Sequence, residues 1–223
     1  MDNKRLMIKI INGKNTKSLS EESFSDLVVK FENVCVDIGT GNGTYVYKQA
    51  IKNTNVLFIG IDPVKENMIK VSSKIVKRYK NSLCNILLMI SSVENIPSAL
   101  NGIADRITIY FPWGILLEGI VKPIEYLMKK IVCVAKDKAS FDFITTYSEN
   151  CDGNEIIKRR LPEIDSSYFD EKYTKKLNEI GLILKSVNVL SNNELKNFDS
   201  QWAKKLAFGK SRQFFRLEGV FNI

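Results

Sequence analysis

The sequence predicts an α/β fold, a mostly parallel sheet with helices on both faces. Three observations predict it. Short apolar runs alternate with stretches of helical spacing from residue 33 to residue 146. One run, Val36-Asp-Ile-Gly-Thr-Gly-Asn-Gly-Thr44, stops at three alternate glycines and leads directly into a helical pattern. Strand, glycine turn and helix start together bring backbone amides up to a ligand. The length, 223 residues at 44% apolar and 26% charged, suits one well-packed domain.

The elements follow in order. Met7 to Asn15 reads as a hairpin with Asn12-Gly13 as its turn signal. A helix from about Ser20 to Phe31 follows, with Ser20 as its cap. Strand 33–38, helix 44–52, strand 56–61, helix 65–79 and strand 85–91 come next, then strand 104–110, a helix over 115–135 broken near Pro123, and strand 139–146. The last third changes rhythm. Residues 147–181 are helical and irregular, and strand 182–190 precedes a 21-residue connection, Ser191 to Ser211, before the final strand at 212–221. A return between two strands needs only a few residues, so a long, basic connection carrying Trp202 reads as functional.

Composition narrows the chemistry. There is no histidine, which removes histidine triads, histidine metal sites and histidine acid–base catalysis. Cys35, Cys84, Cys133 and Cys151 are scattered without a CxxC pair, the pattern of reduced cytosolic thiols and not of a metal site. No apolar run approaches a membrane span and the N-terminus lacks a signal-peptide pattern, so a cytoplasmic protein without a membrane partner is expected. Net charge is +8, and the basic residues cluster at Lys65–Lys80, at Lys158-Arg159-Arg160 and at Lys196–Arg216, while acids gather near residues 21–37. Clustering of this kind points to a nucleic acid.

The motifs sit where strands end. The dinucleotide fingerprint wants a sixth-position glycine, but Thr44 stands there, and Asp37 lies two residues before Gly39. A Walker loop is excluded because no Gly-Lys-Ser/Thr follows. Asp62 ends the second strand in IGIDP, placed to accept both hydroxyls of a ribose; its alternative is a cap for the helix beginning near Val64. Ser91-Ser-Val-Glu94 ends the third strand, where folds of this kind usually contact an adenine, and Glu94 could equally cap a helix. Tyr110-Phe-Pro-Trp-Gly114 ends the fourth strand and offers a proline–aromatic wall for stacking a base; the alternative makes Trp113 a core tryptophan. The stretch resembles the Asn/Asp-Pro-Pro-aromatic tetrad of amino-methylating enzymes, but Phe111 stands in place of its polar residue, which implies attack by a ring nitrogen whose lone pair needs no base.

Taken together, VDIGTGNG, FIGIDPVKEN, ITIYFPWG, FITTYS, RRLPEID and DSQWAKKLAFGKSRQFFR resemble the aminoglycoside-resistance methyltransferases that modify N1 of adenine-1408 in 16S ribosomal RNA. The resemblance runs from about residue 5 to residue 219. It implies a class I, Rossmann-like S-adenosylmethionine-dependent fold, a seven-stranded sheet with an N-terminal β-hairpin, as one domain over 1–223. In it, 1–32 form the hairpin and first helix, and 147–181 and 191–211 the substrate-recognition insertions. It implies a cofactor pocket at Asp37, Gly39, Tyr45, Asp62, Val93, Glu94, Tyr110, Phe111, Pro112, Trp113, Gly114, Ile115, Ser200 and Trp202. It makes Trp113 and Trp202 the catalytic sandwich for a flipped adenine. Lys74, Lys77, Arg78, Arg159, Lys205, Lys210 and Arg212 become contacts to RNA backbone. The implied partner is the 30S subunit, met by a monomer. Two departures stand out: Ile115 replaces a usual threonine, and lysines at 205 and 210 replace arginines, keeping charge but losing bidentate phosphate geometry. Two other readings stay open, a tRNA guanine-N7 methyltransferase and a non-catalytic nucleotide-sensing RNA-binding module.

Overall fold

The computed structural model describes residues 7–79, 83–207 and 212–223. Among these described residues, nine strands form one sheet in the order β2-β1-β5-β4-β3-β6-β7-β9-β8. The hairpin is β1 (Met7–Asn12) and β2 (Asn15–Ser20), and β1 joins the sheet edge antiparallel to β5 (Ile86–Ile90) through Ile10 and Met89. Seven strands were therefore the correct number for the body alone, and the hairpin extends them to nine because its inner strand finds an unpaired edge.

The body begins with β3 (Asn33–Ile38), an apolar run that is buried from Val34 onward, as a strand covered on both faces must be. It pairs in parallel with β4 (Val56–Asp62) on one side and β6 (Ala104–Tyr110) on the other. Strand order reverses there, and such a switch point opens a crevice beyond the carboxyl ends of the strands. Outward from β6 lie β7 (Ala135–Thr145), parallel, and β9 (Phe215–Phe221), antiparallel to both β7 and β8 (Leu182–Val189). The helices α1 (Glu21–Val28), α2 (Thr44–Lys52), α3 (Lys65–Tyr79), α4 (Gly114–Val121) and α5 (Glu125–Val134) connect them. Ser20 caps α1 as expected, its Oγ accepting from Ser23 N–H. The break near Pro123 is real: α4 ends at Val121 and α5 starts at Glu125. β7 starts at Ala135, four residues earlier than the apolar run suggests, because α5 already stops at Val134.

The last third holds more helix than its sequence suggests. After α6 (Glu149–Arg159) and α7 (Glu171–Ile180), the connection expected to be a long functional loop carries α8 (Asn192–Asn197) and α9 (Gln201–Ala207). Ser191 and Glu194 close a reciprocal capping box on α8. Leu195, Ala203 and Ala207 of this crossover bury themselves with Phe111, Ile144 and Phe214, so it is a packed layer over the sheet edge.

Candidate functional site

A cavity of about 910 Å³ opens at the carboxyl ends of β3, β4, β5 and β6 and is closed on its far side by α9. Its floor is the glycine loop. Gly39 and Thr40 N–H both donate to Ile61 O at 2.8 and 3.0 Å, which fastens the loop to the end of β4. Gly39, Gly41 and Gly43 all take positive φ, the region open to glycine without steric cost. A side chain on Gly39 would in addition press on Leu116 at 2.9 Å.

Asp62 takes up the capping role that was one of the two readings of its position. Oδ1 accepts from Val64 N–H at 2.9 Å, capping the approach to α3, while Oδ2 accepts from Gly41 N–H at 2.9 Å and holds the loop. It still lines the cavity with spare acceptor capacity, since each carboxylate oxygen has two lone pairs. Burial raises its pKa, and the Val64 and Gly41 amides oppose that rise. Asp37 lies one layer lower, buried and absent from the cavity wall, where Thr108 Oγ1 donates to it at 2.6 Å. Burial pushes its carboxyl up to about 6, against the hydrogen bond from Thr108 and with added repulsion from Asp62.

The remaining walls come from β5 and β6. Ser91, Ser92, Val93 and Glu94 line one side, and Glu94 has a buried Oε2 without a hydrogen-bond partner among the described residues. A buried acceptor left open in a cavity is suited to a ligand donor such as an exocyclic amine. Tyr110, Phe111, Pro112, Trp113 and Ile115 form the opposite wall. Tyr110 is locked there: its hydroxyl donates to Asp142 at 2.7 Å, and its ring meets Tyr45 and Phe198 edge-on at 4.9 and 4.8 Å. Phe111 has φ +55, unusual for a bulky side chain, and its ring packs against Phe198 and Phe214. That strained turn aims the next residues outward. Trp113 is 56% exposed and Trp202, from α9, is 53% exposed, so neither is a core tryptophan. Both nevertheless line the cavity, together with Ser200, whose Oγ accepts from the N–H groups of Trp202 and Ala203 at 3.2 and 3.4 Å. Of the expected cofactor residues, Asp37, Tyr45 and Gly114 stand behind the wall and the others are in it.

This geometry has close counterparts. The family model for 16S rRNA (adenine(1408)-N(1))-methyltransferase (NpmA) matches residues 9–221. The chain belongs to this family. The 16S rRNA (adenine(1408)-N(1))-methyltransferase of Escherichia coli is 42% identical over 212 residues, covering 94% of this chain and 97% of its own. That of Streptoalloteichus tenebrarius is 27% identical over 202 residues, 90% and 92% of the two chains. Among solved structures, a variant of the 16S rRNA (adenine(1408)-N(1))-methyltransferase from Catenulisporales acidiphilia with cosubstrate SAM superposes with a TM-score of 0.85 at 26% identity, covering 97% of each chain. The 16S rRNA methyltransferase KamB gives 0.87 at 25% identity, covering 97% of this chain and 100% of its own. A stretch of 64 residues, 29% of the chain, is also 33% identical to the tRNA (guanine-N(7)-)-methyltransferase of Malacoplasma penetrans.

In this family member the basic residues fall into two kinds. Lys74, Lys77 and Arg78 are exposed on α3, and Lys74 and Arg78 lie 6.0 and 5.9 Å from the ring of Tyr47. Lys205 is exposed on α9 with Nζ 6.0 Å from the Trp202 ring. Arg159 and Arg212 are instead engaged within the protein. Arg159 pairs with Glu155 and, at 3.1 Å, with Glu118, and its guanidinium lies under Gly114. Arg212 pairs with Asp152 at 3.1 Å and lines the cavity. Lys80 and Lys210 lie outside the described residues. Sequence reasoning passed over the acids that hold these cations. Glu155 stands four residues before Arg159, a spacing that signals a helical ion pair. Asp142 takes hydrogen bonds from Arg106, Tyr110 and Arg216 across three strands, which no local pattern announces.

Proposed function

We propose that this chain transfers a methyl group from S-adenosylmethionine to N1 of adenine-1408 in the decoding site of 16S rRNA, and so confers resistance to aminoglycosides. The observation that carries the reading is the pair of half-exposed tryptophans, Trp113 and Trp202, brought from different elements to one cavity floored by a glycine loop. S-adenosylmethionine, when bound, supplies the methyl on a sulfonium. The glycine loop and Asp62 would hold its ribose, and Val93 and the open Glu94 acceptor its base. Tyr110, Pro112, Ile115 and Ser200 would shape the space around the reacting atoms, with Ile115 contributing no hydroxyl.

Trp113 and Trp202 would take an extruded adenine between their faces. Adenine N1 is neutral and nucleophilic near pH 7, so a chain without histidine need only position it, and positioning supplies much of a barrier's reduction. Two indole faces also stabilise the cationic product base as its charge develops. The exposed lysines and Arg78 of α3, with Lys205, suit phosphates. Separate basic surfaces on α3 and α9 suit an assembled 30S particle better than a short RNA hairpin. We read the protein as a monomeric, cytoplasmic, single-domain enzyme in which 147–181 and 191–211 face the substrate; among the described residues no helix is long and apolar enough to cross a membrane.

The test is methyl transfer from labelled S-adenosylmethionine to purified 30S subunits, followed by primer extension on their RNA. A stop at adenine-1408 is expected. Labelling of tRNA at guanine N7 would favour the reading suggested by the short partial likeness, and no transfer to either RNA would leave a non-catalytic RNA-binding module.

A further inference from the structure

Asp199 lies between α8 and α9, immediately before Ser200. Its carboxylate reaches away from the crossover to α2. Lys48 Nζ lies 3.4 Å from Oδ1, and Gln49 Nε2 and Lys52 Nζ lie 2.9 and 2.5 Å from Oδ2. Three donors from one helix thus meet a single carboxylate, and the i, i+4 spacing of Lys48 and Lys52 puts both on the same face. Burial alone would raise the Asp199 pKa, but Lys52 and Lys48 hold it below the usual carboxylate range.

The helix that supplies these donors begins at Thr44, directly after the glycine loop. The helix they restrain carries Trp202. Elsewhere α9 is held by apolar packing of Ala203, Ala207 and the partly buried Leu206, contacts without direction that leave the start of the helix to be set by another group. An exposed ion pair adds little global stability, since solvent screens it, so three converging donors are better explained by geometry than by stability. We propose that Asp199 is a positioning residue: by clasping α2 it fixes the start of α9, and with it the places of Ser200 and Trp202 at the cavity. Lys48 and Lys52 are then spent inside the protein and do not extend the RNA-binding surface. Only the kinetic consequence rests on reading Trp202 as half of an adenine clamp; the clasp does not.

The experiment has two arms. In a Trp113→Phe background Trp202 is the sole tryptophan, and acrylamide quenching reports how firmly it is held. Asp199→Asn should raise the quenching constant, Asp199→Glu should restore most of the original value, and 0.5 M KCl should loosen the parent but not Asp199→Asn. In the second arm, with Trp113 intact, Asp199→Asn should lower kcat for 30S methylation about 10-fold or more, because small misplacements of a reacting group are costly. The KM for 30S should stay within about 2-fold, because phosphate contacts carry the docking. Unchanged quenching in Asp199→Asn would overturn the proposal, as would a joint fall of kcat, cofactor affinity and Tm that Asp199→Glu does not rescue. A parent enzyme that fails to methylate 30S would refute the proposed function, yet the quenching arm would still decide the clasp.

Discussion

The glycine-loop side of the cavity and the tryptophan side meet at Tyr110, but different forces hold them. On the first side, Gly39, Thr40 and Gly41 donate backbone hydrogen bonds to Ile61 and Asp62, partners on the neighbouring strand. On the second, apolar packing of the crossover is joined by ion pairs between side chains distant in sequence: Asp199 to Lys48 and Lys52, Arg212 to Asp152 and, beside the crossover, Arg159 of α6 to Glu118 of α4. Backbone bonds fixed by positive-φ glycines respond little to salt. Ion pairs are screened within about 8–10 Å at physiological salt. A rigid pocket for an invariant small molecule is thus joined to an electrostatically set surface that has to accommodate a large polyanion.

The largest expected effect breaks the first side alone. Gly39→Ala places a Cβ at φ +76 and 2.9 Å from Leu116 Cδ2. A left-handed backbone costs about 1–2 kcal/mol for a residue with a Cβ, and the new Cβ must also displace the end of the Leu116 side chain at the cavity wall. Calorimetry should show S-adenosylmethionine affinity falling by at least about 10-fold, equivalent to ~1.4 kcal/mol, while filter binding to 30S is retained. Equal loss of both would mean that the two sides are not separable.

Two buried aspartates sharpen the comparison through pH. Asp37 lies beneath the glycine loop with its carboxyl raised to about 6, mainly by burial. Its folded-state pKa exceeds the unfolded value, so its stabilising contribution is complete at pH below the unfolded pKa and is lost as pH rises through about 6. A shift of about two units corresponds to on the order of 3 kcal/mol. Asp142, beneath the tryptophan side, has the opposite sign. Burial would raise its pKa, but Arg216, Tyr110 and Arg106 hold it below the usual range, so its contribution is present above the unfolded pKa and is lost on acidification. Melting curves from pH 3.5 to 7.5 should therefore show Asp37→Asn gaining on the parent as pH rises, and Asp142→Asn falling behind it. Parallel curves for both variants would remove the assignment.

Legibility in the sequence follows the same division. The glycine loop, Asp62 and the ends of β5 and β6 were readable because each places its chemistry within a few residues of a strand's end. The hairpin was readable from Asn12-Gly13, but its addition to the β5 edge was not, since pairing partners are set by the whole sheet. Residues 191–211 read as a long loop because α8 and α9 are six and seven residues long, too short for a periodicity to emerge. The spacing of Ser191 and Glu194 was the available signal. Counting charge groups Lys205 and Arg212 in one basic cluster, yet only three-dimensional proximity shows that Arg212 is already paired while Lys205 is exposed beside Trp202.

The tryptophans come next in size. Each Trp→Ala should cost roughly 1–3 kcal/mol of base stacking, read as slower 30S methylation and lower aminoglycoside resistance. Because both side chains are more than half exposed, Tm should change little, as substitutions at exposed positions typically shift stability by no more than about 0.5 kcal/mol. Trp→Phe should keep more activity than Trp→Ala, since a smaller π-face remains. A large drop in Tm with matching loss of cofactor binding would make them structural residues of the pocket and dissolve the distinction between the two sides.

The smallest expected effect concerns the surface farthest from the chemistry. Lys74 and Arg78 sit 6.0 and 5.9 Å from the ring of Tyr47, at separate turns of α3. A solvent-exposed cation held over a half-buried aromatic ring such as Tyr47 gains about 0.5–1 kcal/mol, enough to bias where a flexible side chain points but not enough to hold it rigidly. Tyr47→Leu keeps the apolar packing of α2 and removes that bias. It should weaken 30S binding only a few-fold and leave the slope of log affinity against log salt unchanged, because no phosphate contact is lost. Lys74→Glu or Arg78→Glu should weaken binding further and reduce the slope by about 0.9 for each duplex phosphate contact removed. In all three variants kcat at saturating 30S should match the parent, since Trp113 and Trp202 remain in place. Salt titrations of 30S binding, run beside saturating kinetics, measure both quantities. A fall in kcat for Tyr47→Leu would show that the α3 surface communicates with the clamp, and the contrast between a docking surface and a reacting site would have to be redrawn at α2.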